Sequence, residues 1–386
     1  MTRPTFPPAI VVGAGLNGLG VVRALAALGA PVWLAEASFR HPTARTRLAR
    51  RHAVRSLSDT RLVDDILALA KTLPARPVLF LTQEASVRLV AERREEVEAA
   101  CAIELPATET ILRLTTKQGF QEEAERLGAP VPRTRIISSA EELEAVRGFT
   151  FPVILKPNER HPDYDRHFRK AYRFEAFEAL QRSALEILPR YPHLVVQEWV
   201  EGDDTEIYFC LQYRPAGGAA PAVSFCGRKN RSHPPMVGGT ASCTIAPEQA
   251  WAELIALTQR FFNATGVVGL ASMEFKRRPD GRFVMIEPTI GRSDFQEEVA
   301  AWHGVNIPGY GYAHLAGLPL PTLRRRARPC VWFDPDAEAM SRAAAPGVPD
   351  LPGRRRDAYF DLSDPFPWLA RQLDRISRRL GLGREG

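Results

Sequence analysis

The β-prone run Ile10 to Val12 opens directly into G-A-G-L-N-G-L-G, and from Leu16 to Leu28 the apolar residues recur at helical spacing. Gly13, Gly15 and Gly18 fit the G-x-G-x-x-G turn that joins a strand to a closely packed helix. Pro31 to Ala35 predicts a second strand, ending at Glu36. The alternation continues with a helix around Leu62 to Leu73, a strand at Val78 to Thr82 and a helix from Ser86 to Ala100. Strands that alternate with helices are joined by crossovers, so this part of the chain predicts a parallel sheet. The same turn opens a first functional option. An acid at the end of the second strand is where a dinucleotide fold holds a ribose, so Glu36 suits an NAD(P)-dependent oxidoreductase. The glycines serve equally if they only let the first helix approach its sheet.

The remaining length leaves room for more than one further unit, since 386 residues fill two or three compact cores. A composition 45% hydrophobic and 25% charged is that of a soluble globular protein. The net charge of +6 suits anionic ligands. Basic residues stay dispersed until the last quarter and no nucleic-acid motif is present, so nucleic acid is not expected as a partner. Cys101, Cys210, Cys226, Cys243 and Cys330 form no C-x-x-C pair, which predicts reduced thiols in a cytoplasm rather than a disulfide frame or a zinc site. No apolar run approaches the roughly 18 residues that span a bilayer. Repeated glycines, Asn17 and Arg23 interrupt the apolar start, against a signal peptide.

Beyond about residue 112 the pattern departs from a second dinucleotide half. Thr115, Thr116, Lys117 and Gln118 open a helix running to Gly128, with Lys117 in its first turn. A cation is unfavourable at that positive end, so either an anion lies nearby or the lysine is simply solvated. Phe151 to Leu155 is a β run delivering Lys156, which at a strand end requires a phosphate or carboxylate partner. The loop Asn158 to Arg173 carries Arg169 and Lys170 and no glycine, so it could clamp phosphates only through side chains. Leu194 to Gln197 runs into Glu198, Trp199, Val200, Glu201 and Gly202, a strand end able to read an adenine edge, with later acids for ribose hydroxyls.

Ser272 to Arg292 then predicts a hairpin about Pro279, Asp280 and Gly281. Glu274 sits on its first strand and Glu287 on its second, each among apolar neighbours. Strand alternation lets both carboxylates meet at one point, and there they repel unless a cation lies between them. Mg²⁺ held by the two acids and nucleotide phosphates is the expected occupant. Pairing of the acids with Lys276, Arg277 or Arg282 on a solvated face is the plainer alternative.

Taken in order, the helix-start lysine, the strand-end lysine, the Q-E-W-V-E-G hinge and the two-glutamate hairpin ending in arginine resemble the ATP-grasp family over about residues 1 to 320. K-P-N followed by Tyr164, Phe168 and Lys170 is most similar to its short carbamoyl-phosphate-synthase-like carboxylate-amine ligases, the D-aspartate ligases among them. The resemblance implies an α/β chain: a Rossmann-like pre-ATP-grasp domain over 1–112, an α+β ATP-grasp fold with a small subdomain over 113–200 and a large one over 201–323, and a basic linker with a C-terminal helical tail over 324–386. It implies that Lys117, Lys156 and Lys170 contact ATP phosphates, that Glu198 and the Val200 backbone meet adenine, and that Glu206, or else Asp204, holds the ribose. Glu274 and Glu287 would ligate Mg²⁺, or Mn²⁺ in its place, and Arg292 would stabilise the transferring phosphoryl group. Two departures from the family pattern E-x-N-x-R stand out. Thr289 replaces the amide as a weaker metal ligand, and Arg292 comes one residue late.

The implied reaction is amide formation through an acyl phosphate, on a small carboxylic or amino acid and an amine, in cell-envelope or polysaccharide metabolism. A non-catalytic nucleotide-binding homologue is the remaining option. Arg228, Lys229 and Arg231, followed by Gly238, Gly239, Thr240 and Ser242, are candidates for holding the acid, or else a basic strand and a flexible turn. Asp294 either contacts the amine or caps the next helix. Finally, Phe366, Leu369, Leu373, Ile376 and Leu380 predict a helix with one apolar stripe, and Arg371, Arg375, Arg378 and Arg379 lie largely off it. The stripe is expected to dock on the chain's own body or on a twin subunit in a homodimer, with an anionic membrane surface as the alternative.

Overall fold

The computed structural model describes residues 6–158, 164–169, 171–323 and 328–380. The alternating N-terminal segment forms the expected parallel sheet, in the order Arg50–Ala53, Val32–Glu36, Ala9–Val12, Val78–Leu81. Its central strands are apolar on both faces, as a parallel sheet covered by helices demands, and Ile10, Val11, Val12 and Leu34 are buried. Gly18, in the first turn of the helix Leu16–Ala26, lies so close to the strand end that a Cβ there would be 1.9 Å from the Gly13 carbonyl oxygen. Gly13 itself takes φ +94°, a left-handed conformation open to glycine.

A second sheet of four antiparallel strands, Thr134–Ile137, Leu194–Glu198, Val153–Pro157 and Tyr172–Phe174, has an apolar cluster of its own around Val153, Leu155, Leu180, Leu194 and Val196. The third sheet has seven strands, in the order Phe283–Ile290, Gly269–Arg277, Ile207–Arg214, Val223–His233, Gly239–Ile245, Cys330–Phe333, Arg354–Asp357. It shares one continuous core with the N-terminal sheet.

The expected linker is not one within the described residues. Cys330–Phe333, the helix Pro335–Ala344 and Arg354–Asp357 form a strand-helix-strand unit whose two strands pair in parallel and extend the third sheet. The arginine run at 354–356 misled because its charges are met from elsewhere in the fold: Arg355 pairs with Glu338 and Arg356 stacks 4.2 Å from the Trp302 ring. The basic run Arg324 to Arg326 lies outside the described residues.

The C-terminal helix Phe366–Arg379 is present, but its apolar stripe does not dock on the body. Pro367 and Arg371 are the buried positions, whereas Phe366, Leu369, Leu373, Ile376 and Leu380 are 44–66% exposed. Among the described residues no helix is long and apolar enough to cross a membrane.

All five cysteines are buried thiols. Burial pushes the Cys101 thiol up to about 11 and raises Cys243 as well, so the reactive thiolate is scarce at neutral pH. An aromatic disulfide reagent at pH 7.5 is therefore expected to label almost none of the five in the native protein and all five after unfolding in guanidinium chloride; fast labelling of the native chain would contradict this burial.

Candidate active site

One cleft of about 620 Å³ lies between the second and third sheets and collects most of the residues singled out in the sequence. Thr116 caps the helix Lys117–Arg126 through its hydroxyl, which accepts from the Gly119 amide at 3.0 Å, and this sets Lys117 at the cleft wall. The Lys117 ammonium reaches across to the Asn158 carbonyl at 3.1 Å. Lys156, at the end of its strand, donates to the Gln197 amide oxygen at 3.2 Å, and Gln197 in turn donates to the Thr134 hydroxyl at 2.8 Å. Two cations thus line one end of the cleft.

Glu198, Trp199 and Val200 follow on the same wall. The Glu198 carboxylate accepts from the Thr150 amide at 2.9 Å. Lys276 was read in the sequence only as a counter-ion on a solvated hairpin face. It is 5% exposed, lines the cleft, lies 4.8 Å from the Trp199 ring and donates to the Gly202 carbonyl at 2.7 Å. Burial lowers its pKa, with Asp204 and Asp203 opposing. Its position two residues beyond Glu274, on the same strand face, was the signal that marked it.

The hairpin forms as expected, with Glu274 directly opposite Glu287 and both in the cleft. Lys229 projects from Val223–His233, across Ile207–Arg214 from the hairpin, 3% exposed, with its ammonium 2.7 Å from Glu274. Burial alone would lower the Lys229 pKa; Glu274, Glu287 and Asp294 more than reverse it and raise it. Burial raises the Glu274 carboxyl, opposed by Lys229 and reinforced by Glu287. Thr289 lines the cleft two residues beyond Glu287, on the same face. The late arginine is absorbed by a turn: the strand ends at Ile290, Gly291 takes φ +69°, and Arg292 still emerges into the cleft.

Asp294 completes this end, and Gln296, which belongs to no motif in the sequence, holds it. With its amide nitrogen donating to Asp294 at 2.9–3.0 Å, Gln296 accepts from the Thr240 hydroxyl at 2.9 Å. Burial raises the Asp294 pKa, and Arg292 and Lys229 oppose that rise.

Five expected site residues are not brought to the cleft: Arg228, Arg231, Ser242, Glu206 and Asp204. Arg231 would share a face with Lys229 in a regular strand, but a bulge at Asn230 shifts the register between them. Arg231 is 2% exposed, and its guanidinium donates to the Ala345 and Val348 carbonyls. Glu206 is held by Arg277, at 2.7 Å, and by Arg228, at 3.3 Å. Asp204, the other ribose candidate, is 1% exposed and accepts from the Ser232 and Met236 amides, each at 2.7 Å. Lys170 lies outside the described residues.

Two facing carboxylates, the part-buried Glu274 with raised proton affinity and the exposed Glu287, fit a divalent cation, and Lys229 supplies positive charge beside them. Among the described residues no group of three or more acids, histidines or cysteines could hold a metal by itself. A Mg²⁺ here would take Glu274 and Glu287 from the protein and its remaining oxygens from phosphates and water.

The glycine turn is engaged elsewhere. Glu36 accepts from the Ala14 amide at 2.7 Å and from Ala37 at 2.7 Å, which closes the turn on itself. Asn17 donates to the Thr82 and Ser293 carbonyls at 3.0 and 2.7 Å and so ties the turn to the segment beside Arg292.

No family model matches the sequence, and no curated protein matches it. Solved structures do match in three dimensions. The N5-carboxyaminoimidazole synthetase from Staphylococcus aureus, complexed with ADP, superposes with a TM-score of 0.67 over 92% of this chain and 93% of that one, at 12% identity. The ADP complex of purK, N5-carboxyaminoimidazole ribonucleotide synthetase, gives 0.66 over 86% and 82%, at 15% identity. The chain has the ATP-grasp fold. The L-amino acid ligase from Bacillus licheniformis is a third ATP-grasp neighbour, with a TM-score of 0.63 over 85% of this chain and 79% of that one, at 13% identity. At such identities the likeness concerns architecture.

Proposed function

We infer that this chain is an ATP- and Mg²⁺-dependent, ADP-forming ligase that joins a small carboxylic or amino acid to an amine. The observation that carries the reading is the opposition, in one cleft, of Lys117 and Lys156 to Glu274, Glu287 and Arg292. Two ADP-bound synthetases and an amino acid ligase among the neighbours of like fold support it.

Lys117 and Lys156 would grip the phosphates of ATP, with the adenine beside Glu198 and Val200. A Mg²⁺ held by Glu274 and Glu287 would neutralise charge on the phosphoryl oxygens. An oxygen of the substrate carboxylate attacks the γ-phosphorus, the bond to the β–γ bridging oxygen breaks, and ADP leaves. Phosphorylation turns a carboxylate oxygen, otherwise a very poor leaving group, into phosphate. Arg292 would meet the charge on the transferring group. The amine then attacks the acyl carbon, phosphate leaves, and Asp294, its carboxylate held by Gln296, would take the proton the nitrogen sheds.

The test is ADP release across a panel of carboxylates and amines, with and without Mg²⁺, and with hydroxylamine to trap the acyl phosphate as a hydroxamate. Mg²⁺-dependent ADP together with hydroxamate is the expected result; neither product from any carboxylate would sink the reading. A thermal-shift comparison separates the oxidoreductase option. MgATP at about a hundred times its Kd should stabilise the protein by about 2.7 kcal/mol, whereas NADH should leave Tm unchanged because Glu36 is already satisfied within its own turn. Stabilisation by NADH and none by MgATP would reverse the assignment.

A further inference from the structure

The exposed stripe of the C-terminal helix has the spacing of an assembly seam. Phe366, Leu369, Leu373, Ile376 and Leu380 follow one another at intervals of three, four, three and four residues. On a helix of 3.6 residues per turn they span an arc of about 80°. That is the narrow a and d seam of a coiled coil, not the broad apolar face of a helix lying in lipid. Pro367 and Arg371, on the opposite side, fix the helix to the body. Arg371 pairs with Asp336 at 2.6 Å, and Trp368 rests on Phe360, with ring centroids 5.7 Å apart. The seam is therefore held outward on a fixed support.

We propose that this seam pairs with the same seam of a second copy of the chain, antiparallel about a two-fold axis at the level of Arg371. In antiparallel packing an a position meets a d position. That register sets Leu369 against the partner's Leu373 and Phe366 against the partner's Ile376.

The flanks and charges select the same direction. Ala370 and Gln372, on either side of the axis, meet their own copies and bring no like charges together. Arg375, Arg378 and Arg379 crowd the C-terminal half of the helix. A parallel pair would set the two clusters side by side. The antiparallel pair holds them about 20 Å apart at 1.5 Å per residue, beyond the Debye length of about 8 Å at physiological salt. This assembly is independent of the chemistry in the cleft, which lies on other elements.

Light scattering of the full chain at micromolar concentration is expected to give twice the 42.9 kDa chain mass. Leu373→Glu, at a position 66% exposed and so tolerant of a charge in the monomer, should weaken association at least about thirtyfold and leave the circular dichroism spectrum unchanged. Direction is read by cross-linking, since the native cysteines are buried. Under mild oxidant, Leu369→Cys mixed with Leu373→Cys should give a disulfide-linked dimer, whereas either variant alone should give little. A monomeric wild-type protein, a Leu373→Glu variant that stays dimeric, or efficient self-cross-linking of Leu373→Cys, the sign of a parallel pair, would each overturn the proposal. A monomer that sediments with phosphatidylglycerol vesicles would overturn it too and assign the face to lipid.

Discussion

Glu287→Ala is expected to cut Mg²⁺-dependent ADP formation by about a thousandfold or more, equivalent to ~4 kcal/mol of lost transition-state stabilisation, while the fold survives. The choice of glutamate follows from the geometry. Glu274 is the direct partner of buried Lys229 at 2.7 Å, so its removal would strand an ammonium in the interior and destabilise by about 3–5 kcal/mol. Loss of activity in Glu274→Ala would then be ambiguous. Removing Glu287 leaves the Lys229–Glu274 pair standing and takes away one of the two facing carboxylates. Tm should move by only a few degrees, and raising Mg²⁺ should recover part of the rate if the defect is weakened metal binding. Wild-type turnover in Glu287→Ala would remove the metal assignment and with it the proposed role of the hairpin.

What the sequence disclosed about this site tracks how local each determinant is. Glu274 and Glu287 were legible because strand alternation and a D-G turn are properties of one hairpin, and the pairing across it follows from those alone. Lys117 and Lys156 were legible as cations in positions that ask for an anion. Arg231 was misjudged because strand alternation predicts it beside Lys229, and a single extra residue at Asn230 breaks that alternation. Glu206 was misjudged because its partners, Arg228 and Arg277, arrive from two other strands. No pattern within the hinge reveals them. Gln296 escaped for the same reason, since its importance lies in joining Asp294 to Thr240 from a sheet strand 56 residues earlier. The fold followed the same rule. The alternating N-terminal strands and helices were readable, whereas the third sheet continues through Cys330–Phe333 and Arg354–Asp357, which resemble a linker until Glu338 and Trp302 meet their arginines.

Arg23 shows how much stability such a distant contact carries. In the sequence it merely interrupts an apolar helix, yet in the structure it is 9% exposed and joins three parts of the chain. Its guanidinium donates to Glu298 at 2.6 Å and to the Ala358 and Tyr359 carbonyls, each at 2.8 Å, with Asp364 at 3.9 Å. Glu298 is 4% exposed and also accepts from the Trp332 indole at 2.8 Å. Burial already raises the Glu298 carboxyl, and Arg23 is the main charge opposing that rise. Arg23→Met keeps the volume but leaves a buried carboxylate facing an apolar side chain and two carbonyls without donors. The expected loss is about 3–5 kcal/mol, read as a fall in Tm of roughly 4–6 °C. Adding Glu298→Gln should return a large part of that loss, because the amide still accepts from Trp332 and carries no charge to neutralise. If the double variant is as unstable as the single one, the damage comes from the lost carbonyl contacts rather than the stranded carboxylate. If Arg23→Met alone melts with the wild type, this clamp between the N-terminal helix and the C-terminal segment contributes nothing to the fold.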